Sequence, residues 1–285
     1  MSISTLISSQ NPDGGFPYRR GKSWTEPTVY ATLALLAAGE LPAARKGLDW
    51  IRAAQRPDGG FPPQIGIDES TWVTALVALF SPEEIGQPEH DRAIQWLLTV
   101  SGEESSSIYR VRQFLLGVPR NADQKDPGWP WMPGAASWVG PTSLAILALD
   151  RENVRKPDQR IRERVQAGRR FLLARMCGEG GWNHGSSRAT GYESRPYPET
   201  TGMALAALRG VSSPKLDLAL AAGKRFLQDC RSADARNWLT LGLLAHGQLP
   251  EGFCSNQPLD YRTLPETSLN LLVAGAAKGN NLFWS

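Results

Sequence analysis

Residues 10–17 read Gln-Asn-Pro-Asp-Gly-Gly-Phe-Pro, and residues 55–62 read Gln-Arg-Pro-Asp-Gly-Gly-Phe-Pro, so one block occurs twice at a spacing of 45 residues. Recurrence at about this spacing is typical of arrays of helix pairs. Each pair in such an array needs its neighbours to bury its apolar face. The whole chain, residues 1–285, is therefore predicted to form one domain.

A second block introduces the apolar segments. The clearest copies, Ser23–Thr28 and Ser137–Thr142, share the order Ser-Trp, two variable residues, then Pro-Thr. Weaker copies occur at Asp68–Thr71, Pro198–Thr201 and Pro265–Ser268. Proline is tolerated in the first turn of a helix, and Ser or Thr beside it can cap the helix. Each copy is therefore expected to mark the start of a helix.

Two kinds of helical segment alternate along the chain. Segments with one charged face, predicted as outer helices, cover residues 43–55, 92–99, 160–176 and 216–230. Segments that are apolar all round, predicted as buried inner helices, cover residues 28–38, 71–80, 142–149, 200–208, 238–245 and 267–277. A helix without a polar face must be surrounded by protein. We therefore predict an all-α barrel with about six inner and five to six outer helices, and one extra short helix near residues 108–116.

Composition argues against several classes of protein. The net charge is +3 and no run of Lys or Arg stands out, so nucleic-acid binding gets no support. No apolar run is long enough for a transmembrane segment, and residues 1–10 lack the features of a signal peptide. Three sparse cysteines favour reduced thiols, so a cytoplasmic location is expected, with peripheral membrane contact left open. The cysteines and histidines lack the spacing of a zinc site, so neither a metal nor a cofactor is predicted. The sequence does not indicate an oligomeric state.

The repeated block carries a family resemblance. Lys46–Trp50, followed by Gln55 and Gly59–Phe61, resembles the QW repeat of squalene–hopene and oxidosqualene cyclases. Gly168–Phe171 followed by Gly180–Trp182 resembles it again. The resemblance implies the α/α toroid of class II terpene cyclases and of protein prenyltransferase β subunits, with an apolar, isoprenoid-like small molecule in a central cavity. The residues of the turn are predicted to staple neighbouring outer helices, with Phe16 and Phe61 buried between them.

The same resemblance implies a place for catalysis. Class II cyclases carry a D-x-D-D-T motif whose middle Asp protonates an alkene or an epoxide, and the matching stretch here is residues 67–71. Glu69 stands at the position of the acid, with Asp68 beside it, while Ile67 and Ser70 replace the other two Asp residues. Glu69 and Asp68 are therefore the catalytic candidates, and burial is expected to raise the pKa of at least one acid here, Glu69 first.

The repeats also place acids and tryptophans in columns. One column, predicted to ring a mouth of the barrel, comprises Glu26, Glu69, Glu199 and Glu266; the tryptophans expected to wall the pocket are Trp24, Trp72 and Trp138. Carboxylates near helix N-termini are also stabilised by the helix dipole, so capping and ligand binding remain two compatible interpretations. Aromatic side chains can hold an isoprenoid, a cationic intermediate or a sugar ring, or can pack between the helix layers.

Three functions follow from these observations. The first is a terpene cyclase-like or prenyltransferase-like protein that binds an isoprenoid-like ligand, with acid-initiated cyclisation despite the incomplete motif. The second is a carbohydrate-active (α/α) barrel that uses two of the ring acids as acid and base. The third is a non-catalytic scaffold or accessory protein. The sequence leaves open whether any reaction is catalysed.

Overall fold

The computed structural model describes residues 2–116, 126–185, 188–189, 192–250 and 260–284. Regular structure in this part of the chain is almost entirely helical, and the exceptions are two antiparallel pairs of two-residue strands, Trp129–Pro130 with Ser137–Trp138 and Arg188–Ala189 with Tyr192–Glu193. The helices are α1 Ile3–Ser9, α2 Thr25–Ala37, α3 Leu41–Ala54, α4 Val73–Val77, α5 Pro82–Ile85, α6 Gln87–Thr99, α7 Ser107–Leu115, α8 Val139–Arg155, α9 Gln159–Ala174, α10 Pro198–Ala207, α11 Pro214–Asp229, α12 Ala233–Ala245 and α13 Leu264–Ala276. A single 3-10 turn, Glu103–Ser105, precedes α7.

Six of these helices form a closed inner ring. In chain order, α2, α4, α8, α10, α12 and α13 each contact the next, and α13 packs back against α2. Their residues are buried on nearly every side, as their uniform apolar composition predicts. Helices α10 and α12 approach each other so closely that a Cβ on Gly202 would lie 2.3 Å from the backbone of Trp238. The chain is therefore an α/α toroid, which confirms the predicted fold class.

The outer layer consists of α1, α3, α6, α9 and α11, and each packs on an inner helix. Helix α3 shows why: Leu48, Trp50 and Ile51 on its inner face are buried, whereas the charged residues between them face outward. Gly47 lets α3 approach α2, since a Cβ there would lie 2.1 Å from the hydroxyl of Thr32. The extra helix predicted near residues 108–116 is α7. In the part of the chain that the structure describes, no helix is long and apolar enough to cross a bilayer.

The repeated block staples neighbouring outer helices, as predicted. Gln55 donates from Nε2 to the carbonyl of Gly59 in its own turn at 3.0 Å and to the carbonyl of Glu89 in α6 at 2.8 Å. Gln10 makes the same pair of bonds, to its own turn and to α3. Gly59 has φ +89°, and a Cβ on it would lie 2.7 Å from a backbone oxygen of α6, so glycine is required there. Phe61, like Phe16, is fully buried.

Candidate functional site

Four equivalent hydrogen bonds fix the register of the repeats. The buried aromatic residue after each glycine turn donates its backbone N–H to a threonine hydroxyl in the next inner helix. The pairs are Phe16 with Thr28, Phe61 with Thr74, Trp129 with Thr142 and Trp182 with Thr201, at 2.8–3.0 Å. These threonines are therefore equivalent positions, and residues counted back from them lie at the same end of the barrel.

A second set of hydrogen bonds joins that end into a ring. Backbone N–H groups at the starts of four inner helices donate to carbonyls in the loop of the next repeat. The pairs are Thr25 with Pro63, Trp72 with Trp131, Val139 with His184 and Leu264 with Tyr18, at 2.8–2.9 Å. The last pair connects the end of the chain to its first repeat. The N-termini of the inner helices therefore surround one mouth of the toroid, where their unpaired N–H groups favour negative charge.

Aromatic side chains form a row along this mouth. The N-cap residues of α2, α4, α8 and α10 are Trp24, Trp72, Trp138 and Tyr197. Neighbouring rings touch in sequence: the ring-centre distances are Trp72–Trp131 5.0 Å, Trp131–Trp138 6.5 Å, Trp138–His184 6.2 Å and His184–Tyr197 5.1 Å. These residues are partly exposed, unlike the buried aromatic residues of the core. We call this set, Trp72, Trp131, Trp138, His184 and Tyr197, the aromatic row.

Two carboxyl groups at the mouth have pKa values above the usual range. Burial, followed by the negative charges of Glu199, Glu26 and Glu266, raises the pKa of Asp234 to about 7. Burial also raises the pKa of Glu26, although a short hydrogen bond from the hydroxyl of Tyr18 acts in the opposite direction. Like charges close together in a partly dry site disfavour simultaneous ionisation. These four acids, Glu26, Glu199, Asp234 and Glu266, are called the carboxylate cluster.

The other two acids of the cluster have different partners. Glu266 caps its own helix: Oε2 accepts the backbone N–H of Arg262 at 2.6 Å and that of Thr263 at 3.2 Å. Glu199 instead lies 3.5 Å from Nε2 of His184, in the aromatic row. The capping interpretation therefore describes Glu266, while Glu26 and Glu199 direct their carboxylates to Tyr18 and His184.

The structure does not bring Glu69 and Asp68 into this cluster. Glu26 and Glu199 each stand two residues before the register threonine, and the residue two before Thr74 is Trp72. Glu69 lies five residues before Thr74 and ahead of the helix, because the register threonine of this repeat is Thr74 and not Thr71. Asp68 points to solvent, with 97% of its side chain exposed, and pairs with Arg56 at 2.5 Å. This corrects the column proposed from the sequence, in which Thr71 stood at the position of the register threonine.

Sequence reasoning missed Asp234 and Tyr197. The inner helix predicted to start at residue 238 starts at Ala233, which places Asp234 in the first turn, beside the acids of the neighbouring helices. Ser232, which accepts a hydrogen bond from the N–H of Ala235, was the available signal, because a serine two residues before an acid is typical of a helix start. Tyr197 precedes Pro-Glu-Thr-Thr just as Trp24 precedes the equivalent turn, and the aromatic N-cap was the signal there.

The mouth thus combines a proton-holding carboxylate cluster with a partly exposed aromatic row. Such an arrangement can bind a ligand with apolar ring faces and transfer a proton to it. Among the described residues, no group of three or more His, Cys, Asp or Glu side chains is arranged to hold a metal ion. The carboxylate cluster can supply a proton donor and a proton acceptor.

Comparison with known proteins places the fold but not the family. No family model matches the chain, and no curated protein matches its sequence. Among solved structures, endoglucanase Cel10, a family 8 glycosyl hydrolase from Klebsiella pneumoniae, has a TM-score of 0.61 at 18% identity, over 96% of this chain and 99% of that one. A GH8 endo-β-1,4-glucanase from an Achatina fulica gut metagenomic library has a TM-score of 0.60 at 16% identity, over 98% of both chains. The type II terpene cyclase MstE from Scytonema has a TM-score of 0.57 at 15% identity, over 96% of both chains. At these identities the similarity shows the α/α toroid alone.

Proposed function

We propose that this protein is an enzyme that cleaves a glycosidic bond, with Asp234 as the general acid. The observation that carries the proposal is a carboxyl group with a pKa of about 7, in a cluster with three further acids, beside a partly exposed aromatic row. A glycosidic oxygen is protonated by a carboxylic acid whose pKa is raised toward neutrality, so that the acid still carries its proton at working pH. Glu199, in the first turn of α10 and 3.5 Å from Nε2 of His184, is the proposed partner carboxylate.

The aromatic row suits the binding of a sugar chain. Partly exposed Trp and Tyr rings present apolar faces on which the C–H faces of sugar rings can stack, while their polar edges stay hydrated. The row extends from α4 to α10 across the mouth, so it offers more than one ring to a linear oligosaccharide. The solved structures with the same fold include endoglucanases, which agrees with this substrate class.

An isoprenoid-like ligand is the second candidate. Trp131 contacts both Trp72 and Trp138, and these rings could stabilise a cationic intermediate through their faces. A type II terpene cyclase also shares the fold. Protonation of an alkene needs an unusually strong acid, however, whereas burial and like charges make Asp234 a weak one. This chemical mismatch is why glycoside cleavage is the preferred proposal.

The test is turnover by the variant Asp234→Asn, with Glu69→Gln as the matched control. Soluble β-1,4-linked glucan and xylan oligosaccharides and a C20 prenyl substrate are each incubated with the purified proteins, and products are read by mass spectrometry. We expect sugar products with wild type and with Glu69→Gln, and a loss of about 10²–10⁴-fold with Asp234→Asn. Cyclised prenyl product in place of sugar product would establish the second candidate. Neither turnover nor binding of any of these substrates by wild type would favour the scaffold interpretation.

A further inference from the structure

A basic groove lies next to the carboxylate cluster. It has a volume of about 720 Å³ and is open to solvent, and its walls come from α1, from the loop after Phe16 and from the segment before α13. The polar residues that line it are Thr5, Ser9, Tyr18, Arg19, Arg20, Asp260, Arg262 and Thr263, so three arginines face one acid. Tyr18 belongs to both places, because its hydroxyl bonds Glu26 while its side chain lines the groove. The groove is therefore an extension of the mouth and not a separate cavity.

The loop that carries Arg19 and Arg20 is anchored at both ends. The carbonyl of Tyr18 accepts the N–H of Leu264 at 2.8 Å, and the carbonyl of Gly21 accepts Nδ2 of Asn11 at 3.0 Å. Both arginines are exposed, and within the described residues neither takes part in an ion pair. The acid that lines the groove, Asp260, pairs instead with Arg262, with Oδ2 3.4 Å from Nε.

The second repeat shows that the fold does not require these two arginines. Its corresponding loop follows Phe61 and reads Pro-Pro-Gln-Ile-Gly-Ile-Asp-Glu over residues 62–69, without a basic residue. The turn glycines match, with φ +99° at Gly21 and +95° at Gly66, and a Cβ at either would meet open space. The first loop therefore carries three basic residues, Arg19, Arg20 and Lys22, where the equivalent loop has none, and its two arginines lie beside the proposed site.

We propose that this groove is an anion subsite, in which Arg19 and Arg20 bind an oxyanion group of the substrate. The inference rests on the proposed function in that the same mouth holds the reacting bond. Guanidinium groups and hydroxyls are the donors that carboxylate, sulfate or phosphate oxygens prefer. Because the proposed substrate at this mouth is a sugar chain, the expected occupant is a carboxylate of an acidic glycan.

The experiment compares binding of charged and neutral probes. Oligosaccharides of galacturonate and a neutral β-1,4-glucan oligosaccharide of equal length are titrated into wild type, into the double variant Arg19→Ala/Arg20→Ala, and into the control Arg45→Ala/Arg225→Ala. The control removes two exposed arginines from the outer helices α3 and α11, so both variants have the same net charge. Calorimetry at low salt and at 0.5 M NaCl gives the dissociation constants.

We expect the galacturonate probe to bind wild type more tightly than the neutral probe, with an advantage that falls at high salt. Arg19→Ala/Arg20→Ala should weaken galacturonate binding by about tenfold or more, the size expected for loss of hydrogen bonds to a charged group. Binding of the neutral probe should not change in this variant, and Arg45→Ala/Arg225→Ala should bind both probes like wild type. Equal loss for both probes, equal loss in the control, or no binding of any anionic probe would overturn the subsite.

A further arm separates the source of the oxyanion. A C20 prenyl diphosphate and the matching prenyl alcohol are titrated into the same proteins. Preference for the diphosphate over galacturonate, lost in Arg19→Ala/Arg20→Ala, would keep the anion subsite but overturn the acidic glycan as its occupant. Because these arms measure binding and the Asp234→Asn test measures turnover, failure of glycoside cleavage remains distinguishable from failure of the subsite.

Discussion

At the scale of single residues, acids in the first turns of the inner helices perform different tasks. Glu266 accepts backbone N–H groups at the start of α13, whereas Glu26 accepts the hydroxyl of Tyr18 and Glu199 lies against His184. Asp234 is the acid whose pKa their combined negative charge raises. Division of roles among carboxyl groups by environment is how one site obtains both a proton donor and an acceptor.

The first prediction concerns the effect of pH on the variant Asp234→Asn. The pKa of Asp234 is about 7 in the folded protein and about 4 in an unfolded chain, so the folded state binds this proton more tightly. Wild type therefore loses stability through this group as pH rises from about 4 to 7. Asparagine does not titrate, so the Asn variant has no such loss. The free energy of unfolding of the variant minus that of wild type should therefore increase from about pH 4 to 7 and level off above pH 7. Urea unfolding from pH 4 to 8 measures this, and a constant difference between the two proteins would contradict it.

The second prediction concerns the variant Glu266→Ala. Loss of a helix cap should reduce the free energy of unfolding by about 1 kcal/mol. Removal of one negative charge should also lower the pKa of Asp234, so the alkaline limb of any pH–rate profile should move to lower pH. Glu69→Ala is the control and should leave that limb in place. An unshifted limb in Glu266→Ala would show that Glu266 does not act on the acid.

At the scale of helices, periodicity predicted most of the architecture. Charged faces identified α3, α6, α9 and α11, and uniformly apolar segments identified the inner helices, because both patterns follow directly from burial. Helix starts were harder. The polar first turn of α12 hid Asp234, and the register threonine of the second repeat is Thr74 and not Thr71, which leaves Glu69 ahead of the helix. The bond between Tyr18 and Glu26 depends on how the loop of the first repeat folds back, which spacing alone does not encode.

The third prediction tests the close approach of an outer helix to an inner one. A Cβ on Gly47 of α3 would lie 2.1 Å from Oγ1 of Thr32 in α2, so Gly47→Ala should destabilise the protein by about 1–3 kcal/mol through overpacking. Thr32→Ala removes that hydroxyl, and the double variant should recover part of the loss. A double-mutant cycle of urea unfolding measures the coupling. Additive effects would mean that α3 shifts outward instead of clashing.

At the scale of the whole molecule, the chain closes its ring at both ends of the barrel. At the mouth, the N–H of Leu264 bonds the carbonyl of Tyr18, which joins the last inner helix to the first repeat. At the opposite end, the segment after α13 is fixed by Arg151, which donates to the carbonyls of Leu282 at 2.7 Å and Leu79 at 2.5 Å. A closed array lacks the free terminal repeats from which an open solenoid can unravel.

The last prediction concerns Phe283, the residue that fills the end opposite the mouth. Its side chain is 1% exposed and lies with its ring centre 5.9 Å from that of Trp238 in α12. Phe283→Ala should lower the free energy of unfolding by about 3–5 kcal/mol, the usual cost of removing a buried Phe. Because the ring is closed, the loss should appear as one transition shifted as a whole, by fluorescence and by circular dichroism alike. Leu218→Ala, at a site 43% exposed on α11, is the control and should change stability by no more than about 0.5 kcal/mol. Two separate transitions in Phe283→Ala would show that the repeats unfold independently and that the tail stabilises only its neighbours.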